Sequence, residues 1–296
     1  MLDAIIDNVP GVRCAVGESP FWHAGEQAWY WVDIPARRIW RMIHATGSTR
    51  YWTAAEMVAC IAPRADGGLI AGMETGLFAV DLLDDGTVRA ERLAAPSGLG
   101  PGMRFNDGRT DRQGRFWSGT MFMDMAAAKA VGQLFRYDAR GLSAPLVEGL
   151  VTQNGLAWSP DGRTMYLSDS HPTRRCVWAF DYDIDAGVPH DRRLFVDMAA
   201  YAGRPDGAAM DSDGGYWVAG NDGGSLLRFT PAGKLDRELQ VPVPKPSMPC
   251  FGGPELDTLL VTSIVQAGRE EEELAGAVLL VRPGGVRGVA EVPFGG

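Results

Sequence analysis

A short unit recurs along this chain: a turn of the type Asp/Ala-x-Gly that leads into alternating aromatic or aliphatic residues. Its copies are His23-Ala-Gly-Glu-Gln-Ala-Trp-Tyr-Trp-Val-Asp33, Arg64-Ala-Asp-Gly-Gly-Leu-Ile-Ala-Gly72, Asp111-Arg-Gln-Gly-Arg-Phe-Trp-Ser-Gly119, Ser159-Pro-Asp-Gly-Arg-Thr-Met-Tyr-Leu-Ser-Asp169 and Asp211-Ser-Asp-Gly-Gly-Tyr-Trp-Val-Ala219, with a degenerate sixth at Gly252-Gly-Pro-Glu-Leu-Asp-Thr-Leu-Leu-Val-Thr262. Each reads as a hairpin turn feeding a strand. The markers Gly25, Gly67, Gly114, Gly162 and Gly214 stand 42, 47, 48 and 52 residues apart, and the sixth turn, near Asp257, follows after 43. A period of about 40 to 50 residues holding several short strands is what a propeller blade requires. Six periods use nearly the whole chain, so the expected architecture is all-β: one six-bladed β-propeller domain over residues 1–296. A strand within residues 4–14 is expected to complete the last blade, leaving no sheet edge open. Residues 121–131 hold the one stretch of helix formers and read as a loop or single short helix, which excludes doubly wound α/β folds and barrels of alternating strands and helices.

Composition narrows the function classes. With 46% apolar residues the chain has ample material for a core, which argues against disorder. Its 28 basic against 37 acidic residues leave a formal charge of −9, and the basic residues are scattered, so no nucleic-acid partner is expected. No run approaches the 18 to 20 apolar residues of a membrane-spanning helix, and no obligatory protein partner is evident. Residues 1–10 carry two acids and no basic stretch, unlike a secretory signal; the expected address is cytoplasmic. Cys14, Cys60, Cys176 and Cys250 form no Cys-x-x-Cys pair and read as buried thiols.

Equal distances before the turn glycine mark equivalent places in different blades. Glu18 lies seven residues before Gly25, while Asn106, Asn154 and Asp206 each lie eight before theirs. The corresponding places in the other two blades fall near Ala59 and Pro249, which are not ligands. Polar side chains at one level of the innermost strands converge on the central channel. Two carboxylates and one or two amide oxygens suit a hard divalent cation such as calcium, magnesium or manganese, and do not exclude zinc or iron. Asn154-Gly155 and Asp206-Gly207 are also common hairpin dipeptides, but a second turn eight residues upstream of the first would leave strands only a few residues long. Arg104, two residues before Asn106, points to the same strand face and can bind a polar ligand's oxygens in a fork; a surface salt bridge is its alternative. Asp124, after Gly119-Thr-Met121, is a further candidate at the channel mouth.

Other signals are missing. The chain has no Gly-x-Ser-x-Gly elbow, no Walker A loop and no His-Glu-x-x-His, and no helix follows Gly98-Leu-Gly100-Pro-Gly102 to form a phosphate cradle. The histidines His23, His44, His171 and His190 show no paired metal spacing, and the acidic run 270–273 reads as a solvated loop.

The segments Gly17-Glu-Ser-Pro-Phe-Trp22, Arg104-Phe-Asn-Asp-Gly108, Gly119-Thr-Met121, Asn154-Gly-Leu-Ala-Trp158, Phe180-Asp-Tyr-Asp183, Pro205-Asp-Gly207 and Cys250-Phe-Gly-Gly253, taken in order and spacing, resemble the regucalcin (senescence marker protein), gluconolactonase and luciferin-regenerating-enzyme family over essentially the full length. The resemblance implies a six-bladed propeller with one divalent metal ion near the top of its channel, and hydrolysis of a sugar lactone. It implies Glu18, Asn154 and Asp206 as metal ligands and Arg104 and Asn106 as substrate-binding residues. The family often has Glu where this chain has Asp124, a shorter side chain that suits a different sugar.

The expected reaction is metal-assisted hydrolysis of an aldonolactone to the aldonic acid. A cation in the site would polarise the carbonyl or lower the pKa of a bound water, Asp206 would take a proton as the base, and Arg104 and Asn106 would hold the sugar and the developing oxyanion. Three alternatives stay open: a non-catalytic calcium-binding regulatory protein, a scaffold of the WD40 or NHL type, and an esterase on the same fold acting on aryl esters or organophosphates.

Overall fold

The computed structural model describes residues 4–296; Met1–Asp3, which open the amino-terminal segment discussed above, lie outside the described residues. Six separate sheets of consecutive antiparallel strands follow one another along the chain. Their first strands are Gly17–His23, Val58–Pro63, Met103–Thr110, Gln153–Trp158, Arg204–Met210 and Pro246–Gly252. Each first strand packs against that of the next sheet, and the sixth against the first, so the ring closes around a central channel. This is the expected six-bladed propeller. The first strands are buried almost throughout, whereas outermost strands such as Val88–Ala94 and Leu235–Gln240 turn charged residues to solvent. Between the sheets lie Trp29, Trp31, Trp117, Trp158 and Trp217, all fully buried; removing such apolar area from water contributes about 25 cal/mol per Å².

The amino-terminal strand, Ile5–Asn8, pairs with Leu279–Arg282 and completes the sixth blade, with Ile5 opposite Arg282. It is shorter than the 4–14 segment considered for it. The third blade is irregular: Gly132–Asp138 pairs with both Gly141–Leu142 and Val147–Leu150. Within 121–131 only a 3-10 turn forms, at Met125–Ala127. No helix among the described residues is long and apolar enough to cross a membrane.

Gly67, Gly114, Gly162 and Gly214 hold the left-handed position of their turns, with φ between +72° and +98°. Gly25 does not. In the first blade Gln27 takes that position at φ +48°, so Glu18 sits nine residues before the true marker, one further than its counterparts. Ser19, the residue after Glu18, is itself left-handed at φ +50°, as Gly155 is after Asn154 at φ +62°.

In all six inner strands the ladder slips by one residue: between Glu18 and Phe21, Val58 and Cys60, Phe105 and Gly108, Asn154 and Ala157, Pro205 and Ala208, and Pro246 and Pro249. Such bulges bend a strand and re-aim its side chains. Four of the six coincide with the polar residues singled out by phase. The cysteines are all unpaired; Cys14, Cys60 and Cys250 are buried, while Cys176 is only half-buried.

Candidate functional site

Asn154-Gly155 and Asp206-Gly207 lie inside inner strands, not at hairpin turns. Each glycine answers to a close approach. Gly155 has φ +62°, and a Cβ there would stand 2.5 Å from Tyr216 Oη; a Cβ on Gly207 would stand 2.4 Å from Met248 Cγ. Small residues at these places let neighbouring strands converge and carry Asn154 and Asp206 to the channel wall.

Glu18, Asn106, Asn154 and Asp206 are all buried, and a hydrogen-bond network fixes them. The Arg104 guanidinium donates from one terminal nitrogen to Phe105 O at 2.8 Å and to Asn106 Oδ1 at 2.7 Å. Arginine has no acceptor, so the Asn106 amide is oriented: its Nδ2 donates to Gln153 O at 2.7 Å and to Asn154 Oδ1 at 3.1 Å. Asn154 in turn donates from Nδ2 to Ser170 Oγ at 2.7 Å, which leaves its Oδ1 a free lone pair. Asp206 Oδ2 accepts from Asn221 Nδ2 at 2.7 Å.

The electrostatics are those of a site short of positive charge. Burial pushes the Glu18 carboxyl well above its ordinary range, and the nearby Asp206 and Asp107 carboxylates push it further. Burial likewise raises Asp206, to about 7, and Asp107. Arg104 is lowered by desolvation to about 10. Glu18, Asp107 and Asp206, with Glu291 beyond them, face Arg104, Arg109 and Arg204, and both Arg204 and the neighbouring Lys245 are themselves engaged by Asp222, at 2.6 Å and 2.8 Å. One buried oxygen, Asp107 Oδ1, has no hydrogen-bond partner at all. Buried carboxylates without paired cations are costly, and one divalent cation would balance the excess. Two carboxylates and an amide oxygen are a donor set that hard cations accept, so the residues fit such an ion.

Asp124 stands apart from this cluster. It is exposed, on the loop after Phe116–Phe122, and its carboxylate caps the 3-10 turn by accepting from Ala126 N at 3.1 Å. The loop is docked toward the fourth blade, where His171 Nε2 lies 3.1 Å from Met125 O. The acidic run 270–273 is exposed. Asp181, His190 and Asp191 place ligand atoms close together on outer strands of the fourth blade, but all three are exposed and Asp181 is paired with Arg193 at 2.6 Å.

Several site residues carry no phase signal. Asp107 follows Asn106 directly, and its Oδ2 accepts from Leu156 N at 3.0 Å, tying the third and fourth blades below the cluster. Arg109 contacts Glu291 at 3.3 Å because the carboxy-terminal segment crosses under the channel, with Gly288 bridged to Asp211 and Phe294 to Arg64. Asn221 ends the second strand of the fifth blade. The end of the second strand is itself a repeat position, occupied by Asp33 in the first blade and Asp169 in the fourth.

Residues 16–265 match the family described as SMP-30/Gluconolactonase/LRE-like region. The chain is 39% identical over 287 residues to the 6-deoxy-6-sulfogluconolactonase of Pseudomonas putida, which covers 95% of each sequence. It is 33% identical over 287 residues to regucalcin of Danio rerio, again over 95% of each. Among solved structures it is similar to a luciferin-regenerating enzyme, with a TM-score of 0.90 at 25% identity over 98% of this chain and 99% of that one.

Proposed function

We propose that this chain, which belongs to the SMP-30/gluconolactonase/LRE-like family, hydrolyses a sugar lactone to its aldonic acid, using one divalent metal ion held by Glu18, Asn154 and Asp206. The observation that carries the reading is the pair of buried, mutually repelling carboxylates, Glu18 and Asp206, beside an arginine with unspent donors. Similarity to a named sugar lactonase over nearly the whole chain supports the same reaction.

When bound, the ion supplies Lewis acidity at the lactone carbonyl. Calcium, magnesium, manganese, zinc and iron are all compatible with these oxygen donors. The rest falls to the protein. Arg104 spends one terminal nitrogen on Phe105 and Asn106; its Nε and second terminal nitrogen donate to the carbonyl oxygen or ring hydroxyls as negative charge develops there. Asn106, with both amide hydrogens committed to Gln153 O and Asn154 Oδ1, keeps Arg104 and Asn154 in register and offers the sugar only a lone pair on Oδ1. As the base, Asp206 takes the proton of the attacking water on Oδ2, which accepts from Asn221 Nδ2 at 2.7 Å and keeps a second lone pair, while Oδ1 is left for the ion. The water oxygen bonds to the carbonyl carbon, the ring C–O bond breaks, and the proton passes to the departing ring oxygen. Asp124 would add a contact at the rim. The four unpaired thiols suit a reducing compartment, and we place the reaction in the cytoplasm.

The test is conversion of a panel of glucono-, galactono-, xylono- and arabinonolactone, followed by NMR for the open-chain acid. Conversion well above spontaneous opening for at least one sugar is expected. Rates equal to spontaneous opening across the panel, with metal bound, would move the reading to a calcium-binding regulatory protein.

A further inference from the structure

We propose that Asn221 is a positioning residue for the metal site, which sets Asp206 as a one-oxygen ligand and is itself set by Arg204. The inference rests on the metal site proposed above.

The end of the second strand faces the start of the first strand in each of three blades: Asp33 opposite Gly17, Asp169 opposite Gln153, and Asn221 opposite Arg204. In the first and fourth blades the aspartate closes the backbone. Asp33 accepts from Ala15 N and Val16 N at 3.0 and 3.1 Å, and Asp169 from Val151 N and Thr152 N at 2.9 and 3.0 Å. The fifth blade departs from this pattern. Its residue is an amide, fully buried, and its side chain turns to Asp206 instead. An aspartate there could only accept, and would set a second carboxylate against Asp206; asparagine supplies a donor at the same volume.

The amide cannot sit the other way round. Arg204 donates to Asn221 Oδ1 at 3.0 Å, and a guanidinium only donates, so Nδ2 must face Asp206 Oδ2. Arg204 is fixed in its turn by Asp222 Oδ2 at 2.6 Å and Ser170 O at 3.2 Å. Ser170 also holds Asn154 through its hydroxyl. Two of the three proposed ligands are therefore clamped from one cluster of side chains at the rim between the fourth and fifth blades. With Oδ2 engaged, Asp206 has one oxygen left for an ion. Partners of this kind, behind the ligands themselves, typically change metal affinity by about 10- to 100-fold.

The experiment is a direct calorimetric titration of Mn²⁺ or Ca²⁺ into metal-stripped protein, without substrate, on wild type, Asn221→Leu and Arg204→Met, with thermal melts as a fold control. Asn221→Leu is expected to weaken binding about 10- to 100-fold and Arg204→Met to weaken it less, since the amide is kept but no longer oriented. At saturating metal, lactonase kcat should recover substantially in both, with KM for the lactone little changed; a purely structural defect would not be rescued by metal. Wild-type affinity retained in Asn221→Leu, in a protein that melts normally, would overturn the inference alone. Should Asn221→Leu fail to fold, an affinity unchanged by Arg204→Met would overturn it. Wild type that binds neither ion would overturn the metal site and the inference with it.

Discussion

Asn106 and Asn154, on the first strands of adjacent blades, meet through a 3.1 Å hydrogen bond from the amide of one to the carbonyl oxygen of the other. The contact joins the residue held by Arg104 to a proposed metal ligand, so on the proposed assignments substrate binding and metal binding would be mechanically linked. Asn106→Leu should therefore lower kcat/KM by about 10- to 100-fold and weaken metal binding as well. Kinetics at several metal concentrations would check this; loss of substrate affinity with unchanged metal affinity would separate the two functions.

Arg104 presents a fork that lysine cannot reproduce. Removing one donor aimed at a developing oxyanion costs about 10²- to 10³-fold in kcat. Arg104→Lys is expected to lose most of that amount, and Arg104→Ala all of it, in steady-state assays. Near-wild-type turnover in the lysine variant would reduce Arg104 to a point charge.

The pH dependence of stability follows from burial. Folding raises Glu18 and Asp206, the latter to about 7, from unfolded values of about 4. The folded metal-free protein thus holds protons that the unfolded chain gives up. The Asp206 contribution is fully present below about pH 4 and is lost as pH rises through about 7, and that of Glu18 falls in the same direction with rising pH. Metal replaces those protons, so the gap in melting temperature between metal-loaded and chelated protein should widen from pH 5 to pH 8. A gap independent of pH would contradict the assignment.

Asp124 caps a turn from an exposed loop. Asp124→Ala is expected to raise KM a few-fold with kcat nearly unchanged, measured on the best lactone of the panel. A large fall in kcat would instead bring the loop down onto the reacting centre.

Gly155 tolerates no side chain. Its left-handed φ and the 2.5 Å approach to Tyr216 Oη mean that Gly155→Ala combines backbone strain with overpacking, each worth about 1–3 kcal/mol. Thermal or urea unfolding should show a loss of at least about 2 kcal/mol.

The fold was legible because glycines at left-handed turn positions recur at blade spacing and helix formers are confined to one segment. Asn106, Asn154 and Asp206 were legible by phase. Glu18 stands out by phase against Gly25, although Gln27 rather than Gly25 occupies the left-handed position of that turn. Bulges leave no imprint on an alternation pattern. The Arg109–Glu291 pair joins residues far apart in sequence, through a carboxy-terminal segment with no repeat signal of its own. Asn221 was within reach: set beside Asp33 and Asp169, it is the one amide at a position where two other blades carry aspartate.

The most direct test of the central claim is the initial rate of lactone opening, followed with a pH indicator and corrected for spontaneous hydrolysis, in chelator-stripped protein before and after metal is restored, with Asp206→Asn alongside. The account predicts negligible turnover without metal, recovery at about one equivalent of divalent ion, and no recovery in Asp206→Asn. Full turnover in stripped protein, or a fully active Asp206→Asn variant, would contradict it.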